Sequence, residues 1–261
     1  MKMDNITKMP VLFVGHGSPM HVIQDNEWSR GFKSIADHLP RPKAILSISA
    51  HWYVDGTYLT ASESNKTIHD FGGFPQEMYE IQYPAPGAPS LAKRVTEIIE
   101  RAELSDEWGL DHGTWTVLHY VFPDASVPVI QLSIDRRMEP KAHYELAKDL
   151  RSLREDGVLI FGTGNITHNL RAAFGQMRSG DPSTPAYSAK FDAEIRTSLE
   201  NRDFENLWTA IGTEHGRLSH PTLDHYLPLL YCAAAVDESD QPNSLIEGFD
   251  HGLSMRSVLW T

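Results

Sequence analysis

Cysteine is almost missing from this chain: the only one is Cys232. No internal disulfide can form, which suits a reducing compartment, and a cytoplasmic protein is expected. A zinc cluster built on thiolates is excluded for the same reason. Long apolar runs are missing too. No stretch approaches the roughly 18 residues of a membrane helix, so no membrane association is expected. The opening Met1-Lys2-Met3-Asp4-Asn5 lacks the apolar segment of a secretion signal. Positive charge is in deficit, with 23 Lys and Arg against 35 Asp and Glu, a formal net charge of −12. Such a chain repels phosphate backbones, so nucleic acid is not an expected partner. Repeats, low-complexity tracts and long linkers are absent as well. The expectation is one domain over residues 1–261, with 1–8 as a flexible N-terminal extension, acting as a monomer or small homo-oligomer.

Histidine, by contrast, is plentiful, at 13 residues. Any metal here is therefore held by imidazole and carboxylate. The apolar run Val11–Val14 reads as a buried strand and meets Gly15-His16-Gly17-Ser18-Pro19, which cannot extend it. His16 is thus expected at the carboxyl end of a core strand, the edge at which open α/β sheets bind ligands. Residues 44–50 read as a second strand running into His51-Trp52. Residues 157–162 read as another, followed closely by His168. Further strands are expected at 58–61, 127–134 and within 245–260. Helices are expected at 89–103, 140–155, around 191–199, and at 226–235 with Thr222 as its N-cap. Strands alternating with helices predict an α/β layer fold with a mainly parallel or mixed sheet.

Three strand ends followed by His16, His51 and His168 place three imidazoles on one edge of a sheet. His225, at the start of an apolar helix, is positioned to join them. His112 sits in the Asp-His-Gly turn. A lone histidine at a turn is more often a hydrogen-bonded structural residue than a ligand. The same feature repeated three times argues for a site, because several imidazoles buried without partners are costly. For His21, His38, His69, His119, His143, His215, His220 and His251 a structural or surface role is expected. Trp52, Phe71 and Trp115 are expected in the core, and the carboxylates mostly on a solvated face. Neutral imidazoles bind Fe²⁺ or Zn²⁺ alike: iron would bring O₂ chemistry, zinc hydrolysis.

Eight pieces occur in order along the chain: Gly15-His16-Gly17-Ser18-Pro19-Met20, Ser49-Ala50-His51-Trp52, Ile68-His69-Asp70-Phe71-Gly72-Gly73-Phe74-Pro75, Tyr83-Pro84-Ala85-Pro86-Gly87, Leu110-Asp111-His112-Gly113, Gln131-Leu132-Ser133-Ile134, Gly164-Asn165-Ile166-Thr167-His168-Asn169-Leu170 and His225-Tyr226-Leu227-Pro228-Leu229. Together they resemble the class III extradiol ring-cleavage dioxygenases, in the branch of the 4,5-DOPA extradiol dioxygenases, over about residues 9–258. The resemblance implies a single catalytic α/β domain whose central mixed, largely parallel sheet is flanked by helices. It implies one non-haem Fe(II) in the active form, with Zn(II) in purified protein. His16, His51 and His225 are the implied metal ligands, His168 the acid/base catalyst or a fourth ligand, and His112 a contact to substrate oxygens. The implied substrates are a small catechol and O₂, and the implied product is a muconic semialdehyde. One stretch departs from the pigment-forming plant enzymes. They carry a His-Pro motif with an acidic residue shortly after the Thr-His-Asn-Leu segment, where this chain has Arg171-Ala172-Ala173-Phe174-Gly175-Gln176. Two other readings of the same residues are a zinc-dependent hydrolase and a non-enzymatic metal-binding member of the fold.

Overall fold

The computed structural model describes residues 8–261. The expected extension lies outside the described residues except for Lys8, which is tethered: its ammonium stands 3.0 Å from Asp240. Among the described residues, ten strands are present: β1 (Val11–Gly15), β2 (Ala44–Val54), β3 (Thr57–Thr60), β4 (Ala102–Ser105), β5 (Val129–Asp135), β6 (Val158–Gly164), β7 (Pro242–Ile246), β8 (Phe249–Asp250), β9 (Leu253–Ser254) and β10 (Ser257–Trp260). The α-helices are α1 (Glu27–Ile35), α2 (Gln76–Glu80), α3 (Pro89–Ile98), α4 (His112–Val121), α5 (Pro140–Ala147), α6 (Leu170–Ser179), α7 (Ala186–Glu200), α8 (Phe204–Thr209), α9 (Glu214–Ser219) and α10 (Leu227–Ala234).

Eight strands form one sheet in the order β4-β3-β5-β2-β6-β1-β10-β7. The central β5-β2-β6-β1 block is parallel, and β10 and β7 extend it antiparallel beyond β1. This is the expected α/β architecture with a mixed, largely parallel sheet. Both faces of the central strands are covered, so these strands read as continuous apolar runs rather than as alternation. Val11 and Phe13 of β1, Leu46 and Ile48 of β2 and Ile160 of β6 enter one core. Leu12 and Val14, Ile45, and Leu159 and Phe161 enter the other. The first core is closed by α10 and its neighbours, the second by α1 and α4. The carboxyl ends of β1, β2 and β6 are thereby fixed side by side.

Several expected boundaries move. The helix expected over 89–103 ends at Ile98, and residues 102–105 form the edge strand β4 instead. The helix expected over 140–155 is α-helical only to Ala147 and continues as 3₁₀ turns over Lys148–Asp156. The stretch after Asp111, read as a turn and a short apolar segment, is the buried helix α4. Thr222 does not cap α10: the N-cap position is Tyr226, without a side-chain cap, and Pro228 occupies the first turn. There the missing N–H of proline costs nothing.

Candidate metal centre

His16 follows β1 directly, and its backbone N–H is held by the carbonyl of Gly164 at the end of β6, 3.0 Å away. The next residue, Gly17, has φ +60, a conformation that side chains with a Cβ rarely adopt, so the chain turns away immediately after the imidazole. His51 departs from expectation, because β2 does not stop before it. The pairing of β2 with β6 ends at Ser49, while β2 runs on beside β5 to Val54 after a register shift between Ile48 and Tyr53. The gap that opens between β2 and β6 is where His51 sits. His225 precedes α10, and its carbonyl accepts the N–H of Asn165 at 2.9 Å. That approach requires Gly164: a Cβ there would stand 2.1 Å from the His225 oxygen. His168 lies in the loop between β6 and α6, its N–H bonded to the Ser219 carbonyl. His112 opens α4, whose N-cap is Asp111.

The five imidazoles converge. Ring centroids of His16, His51 and His225 are 5.1, 5.3 and 5.0 Å apart, pair by pair. His112 is packed 3.8 Å from His51, and His168 is stacked on His225 at 3.4 Å with 5° between the planes. Two groups have ligand atoms all within 4.8 Å of one another: His16, His51 and His112, and His168, Asp224 and His225. All five rings border one cavity of about 580 Å³.

Hydrogen bonding settles which ring nitrogen faces inward. Thr163 donates its hydroxyl to the Gly113 carbonyl at 2.7 Å, so its oxygen accepts from His16 Nδ1, 2.9 Å away. Asp70 reaches two rings, with Oδ2 3.2 Å from His51 Nδ1 and Oδ1 3.0 Å from His112 Nδ1. Asp224 Oδ2 lies 2.5 Å from His225 Nδ1. Hydrogen bonds to oxygen place the proton on Nδ1 of His16 and His225, and the Asp70 carboxylate beside Nδ1 of His51 and His112 favours the same tautomer there, which leaves Nε2 a lone pair on the cavity side. The Nε2 atoms of His16 and His51 are 3.2 Å apart. Two lone pairs facing each other so closely in a buried site need a shared proton or cation between them.

Charge in the site is set by burial. Burial lowers the pKa of His16 well below the ordinary histidine value, and the neighbouring histidines push the same way. Burial brings His225 down to about 4, against the pull of Asp224. His168 is lowered by burial and then by His225. His112 is lowered by burial and His51, although Asp70 pulls it back. His51 alone is raised: burial opposes its charge, but the bond to Asp70 and the charges of Asp111, Asp70 and Asp224 outweigh burial. Asp70 and Asp224 are both held well below the carboxylate range by their histidines, against the effect of burial.

The sequence missed the carboxylates. The carboxylates as a group are expected mostly on a solvated face, yet Asp111 is fully buried and Asp70 and Asp224 are mostly so. For Asp111 a signal existed: aspartate is a preferred N-cap residue, and Asp111 accepts from the Thr114 backbone N–H. The remaining histidines mostly keep structural roles. His69 bonds the Ile81 carbonyl, His143 the Tyr231 hydroxyl and His220 the Ile166 carbonyl. His21 and His251 were also set aside, but both border the cavity beside Asp250. Phe71 was expected in the core and lines the cavity as well.

Comparison with known proteins agrees with this geometry. Residues 8–254 match the family described as the catalytic LigB subunit of aromatic ring-opening dioxygenase. The chain is 42% identical to a 4,5-DOPA dioxygenase extradiol of Escherichia coli K12, over 97% of this chain and 94% of that one. It is 34% identical to a protein of the same name from Beta vulgaris, over 96% of this chain and 94% of that one. The crystal structure of an uncharacterized protein from Escherichia coli K12 superposes with a TM-score of 0.83 at 39% identity, covering 96% of this chain and 99% of the other. The chain belongs to the LigB family and is an extradiol aromatic ring-opening dioxygenase, similar to the 4,5-DOPA dioxygenases.

Proposed function

We propose that this chain opens the ring of a DOPA-like catechol with O₂ to give a muconic semialdehyde, using one metal ion held by His16, His51 and His225. The observation that carries the reading is the triangle of rings at 5.0–5.3 Å, each with its Nδ1 anchored by an oxygen. Metal–nitrogen bonds of about 2.1 Å put imidazole centroids on one ion about 4.5–5.3 Å apart, between right-angle and tetrahedral arrangements. The triangle fits that range. The 3.8 Å between His112 and His51 and the 3.4 Å between His168 and His225 fall short of it. Moreover, two rings stacked nearly parallel cannot both aim an in-plane lone pair at one ion. This favours His168 as acid/base catalyst over a fourth ligand.

Fe(II) is the metal of the active form and Zn(II) an expected occupant of purified protein. Bound there, a ferrous ion supplies a Lewis acid for two adjacent hydroxyls and a path for electrons between ring and O₂. The chain supplies the rest. His168, neutral at pH 7 because burial and His225 lower its pKa, accepts a catechol proton. His112, whose backbone N–H donates to Asp70 and whose Nδ1 stands 3.0 Å from the same carboxylate, presents Nε2 as acceptor to a substrate hydroxyl. Phe71, with its ring edge-on to His112 at 5.5 Å, and Phe74 form an apolar wall that excludes water from the ring. The eight-stranded sheet draws strands from Val11 to Trp260, which supports one catalytic domain.

The test is anaerobic loading with Fe(II), then addition of L-DOPA, protocatechuate and simple catechols in an oxygen electrode. Stoichiometric O₂ uptake with a yellow ring-opened product is expected. No uptake across the panel contradicts the proposal, and O₂-independent turnover with zinc would select the hydrolase reading instead.

A further inference from the structure

The cavity that holds the histidines also holds a carboxylate with no part in the metal site. Asp250 ends β8 and is joined to β9 by a two-residue turn, His251-Gly252. Both turn residues have positive φ, 49 and 80, as a type I′ turn requires. Residues with a Cβ adopt this conformation uncommonly, and histidine is among those that do so most readily. The turn aims its side chains at the cavity mouth, which Asp250 and His251 both border. His251 Nδ1–H donates to Asp250 Oδ1 at 2.7 Å, and His21 Nε2 stands 3.2 Å from Oδ2. A carboxylate offers about four acceptor positions, so Asp250 keeps capacity for a further donor. Its side chain is 13% exposed. His21, which stands beside Asp250, also packs against the turn after His16: a Cβ on Gly17 would lie 3.2 Å from His21 Nε2.

The rest of the lining sharpens the point. Among the described residues, no lysine or arginine borders the cavity, and the only other carboxylate there, Asp70, is committed to His51 and His112. Part of the wall is apolar, including Leu170, Phe174 and Met177 from α6, beside the polar Gln24 and Asn26. These three are exposed by 47, 52 and 41%, apolar surface left open at the mouth. A cavity whose carboxylate keeps acceptor capacity beyond its two histidines, with no lysine or arginine in its lining and apolar surface at its mouth, suits an aromatic ring carrying a positive charge on a short tail.

We infer that Asp250 is a binding site for the ammonium group of an aralkylamine catechol, so that side-chain nitrogen, rather than side-chain carboxylate, selects the substrate. The inference rests on the ring-opening reading for the catechol half alone, and its test is independent of turnover. Zinc-loaded protein is titrated by calorimetry with tyramine, 4-ethylphenol and 3-(4-hydroxyphenyl)propionate, which share one phenol and differ in tail charge. Wild type is expected to bind tyramine about tenfold more tightly than 4-ethylphenol, the scale of one charge-assisted hydrogen bond, and the propionate most weakly. Asp250→Asn is expected to erase the tyramine preference and leave 4-ethylphenol binding unchanged, which also certifies the variant's fold. In wild type alone, salt at about 1 M, where the Debye length is roughly 3 Å, is expected to shrink the preference. Equal binding of tyramine and 4-ethylphenol, tighter binding of the propionate, or a preference that survives in Asp250→Asn overturns the inference. If the preference is present but Fe(II)-loaded protein takes up no O₂ with any catechol, the ring-opening reading falls and the amine site stands.

Discussion

At the residue scale, the site depends on oxygen atoms that face the Nδ1 of His16, His51, His112 and His225. Asp70 bears most of that task, since one carboxylate serves both His51 and His112. Asp70→Ala is expected to weaken metal affinity about 10–100-fold, the usual cost of removing such a partner, as read by competition with a chelator. It is also expected to impair catalysis beyond the metal loss, because His112 loses its anchor too. The histidines were legible in the sequence because strand, turn and imidazole are adjacent there, as in Val14-Gly15-His16. Asp70 was not, because a carboxylate in a Gly- and Phe-rich loop carries no periodic signal and its two partners lie 19 and 42 positions away. His51 was legible for a partly wrong reason: the strand passes through it, and the register shift that exposes it leaves no mark in composition.

At the scale of elements, close backbone approaches set the positions of the rings. Gly164→Ala places a Cβ against the carbonyl of His225 and must push that segment outward. The expected result is a folded protein with strongly reduced metal content, checked by melting temperature and metal analysis on the same sample. A second element-level device is the fully buried Arg154, which binds both oxygens of Asp240 at 2.6 and 2.9 Å and donates to the carbonyls of Met9 and Ala235. It pins the start of β1 to the end of the α10 segment. Arg154→Ala leaves the buried Asp240 with Lys8 as its cationic partner and takes a donor from the Met9 and Ala235 carbonyls, and is expected to cost about 3 kcal/mol in denaturant titrations. The core strands were legible because both of their faces are apolar. The edge strand β4 was not: half its residues are exposed, and its apolar spacing continues that of α3. The 3₁₀ turns after α5 were merged with that helix because a period near three also keeps Leu150 and Leu153 on the buried side.

At the scale of the whole molecule, buried neutral histidines tie stability to pH. Burial holds His143, far from the cavity lining, down to about 4, and His220 likewise. In the unfolded chain both titrate near pH 6.5. Between those values the unfolded state binds more protons, so the stability these residues contribute is present above about pH 6.5 and is lost as pH falls toward 4. Thermal melts across that window are expected to fall steadily, and His143→Gln is expected to flatten part of the decline. The matched family and relatives span nearly the whole chain, in keeping with a site whose five imidazoles come from segments between residues 16 and 225.

The most direct measurement is the metal content of single variants purified side by side after loading with one equivalent of Fe(II) or Zn(II). Wild type is expected to retain one ion, His16→Ala, His51→Ala and His225→Ala to retain almost none, and His168→Ala and His112→Ala to retain most of it while losing ring opening. Full retention by His225→Ala, or loss by His168→Ala as severe as that by His16→Ala, would contradict the assignment of the centre.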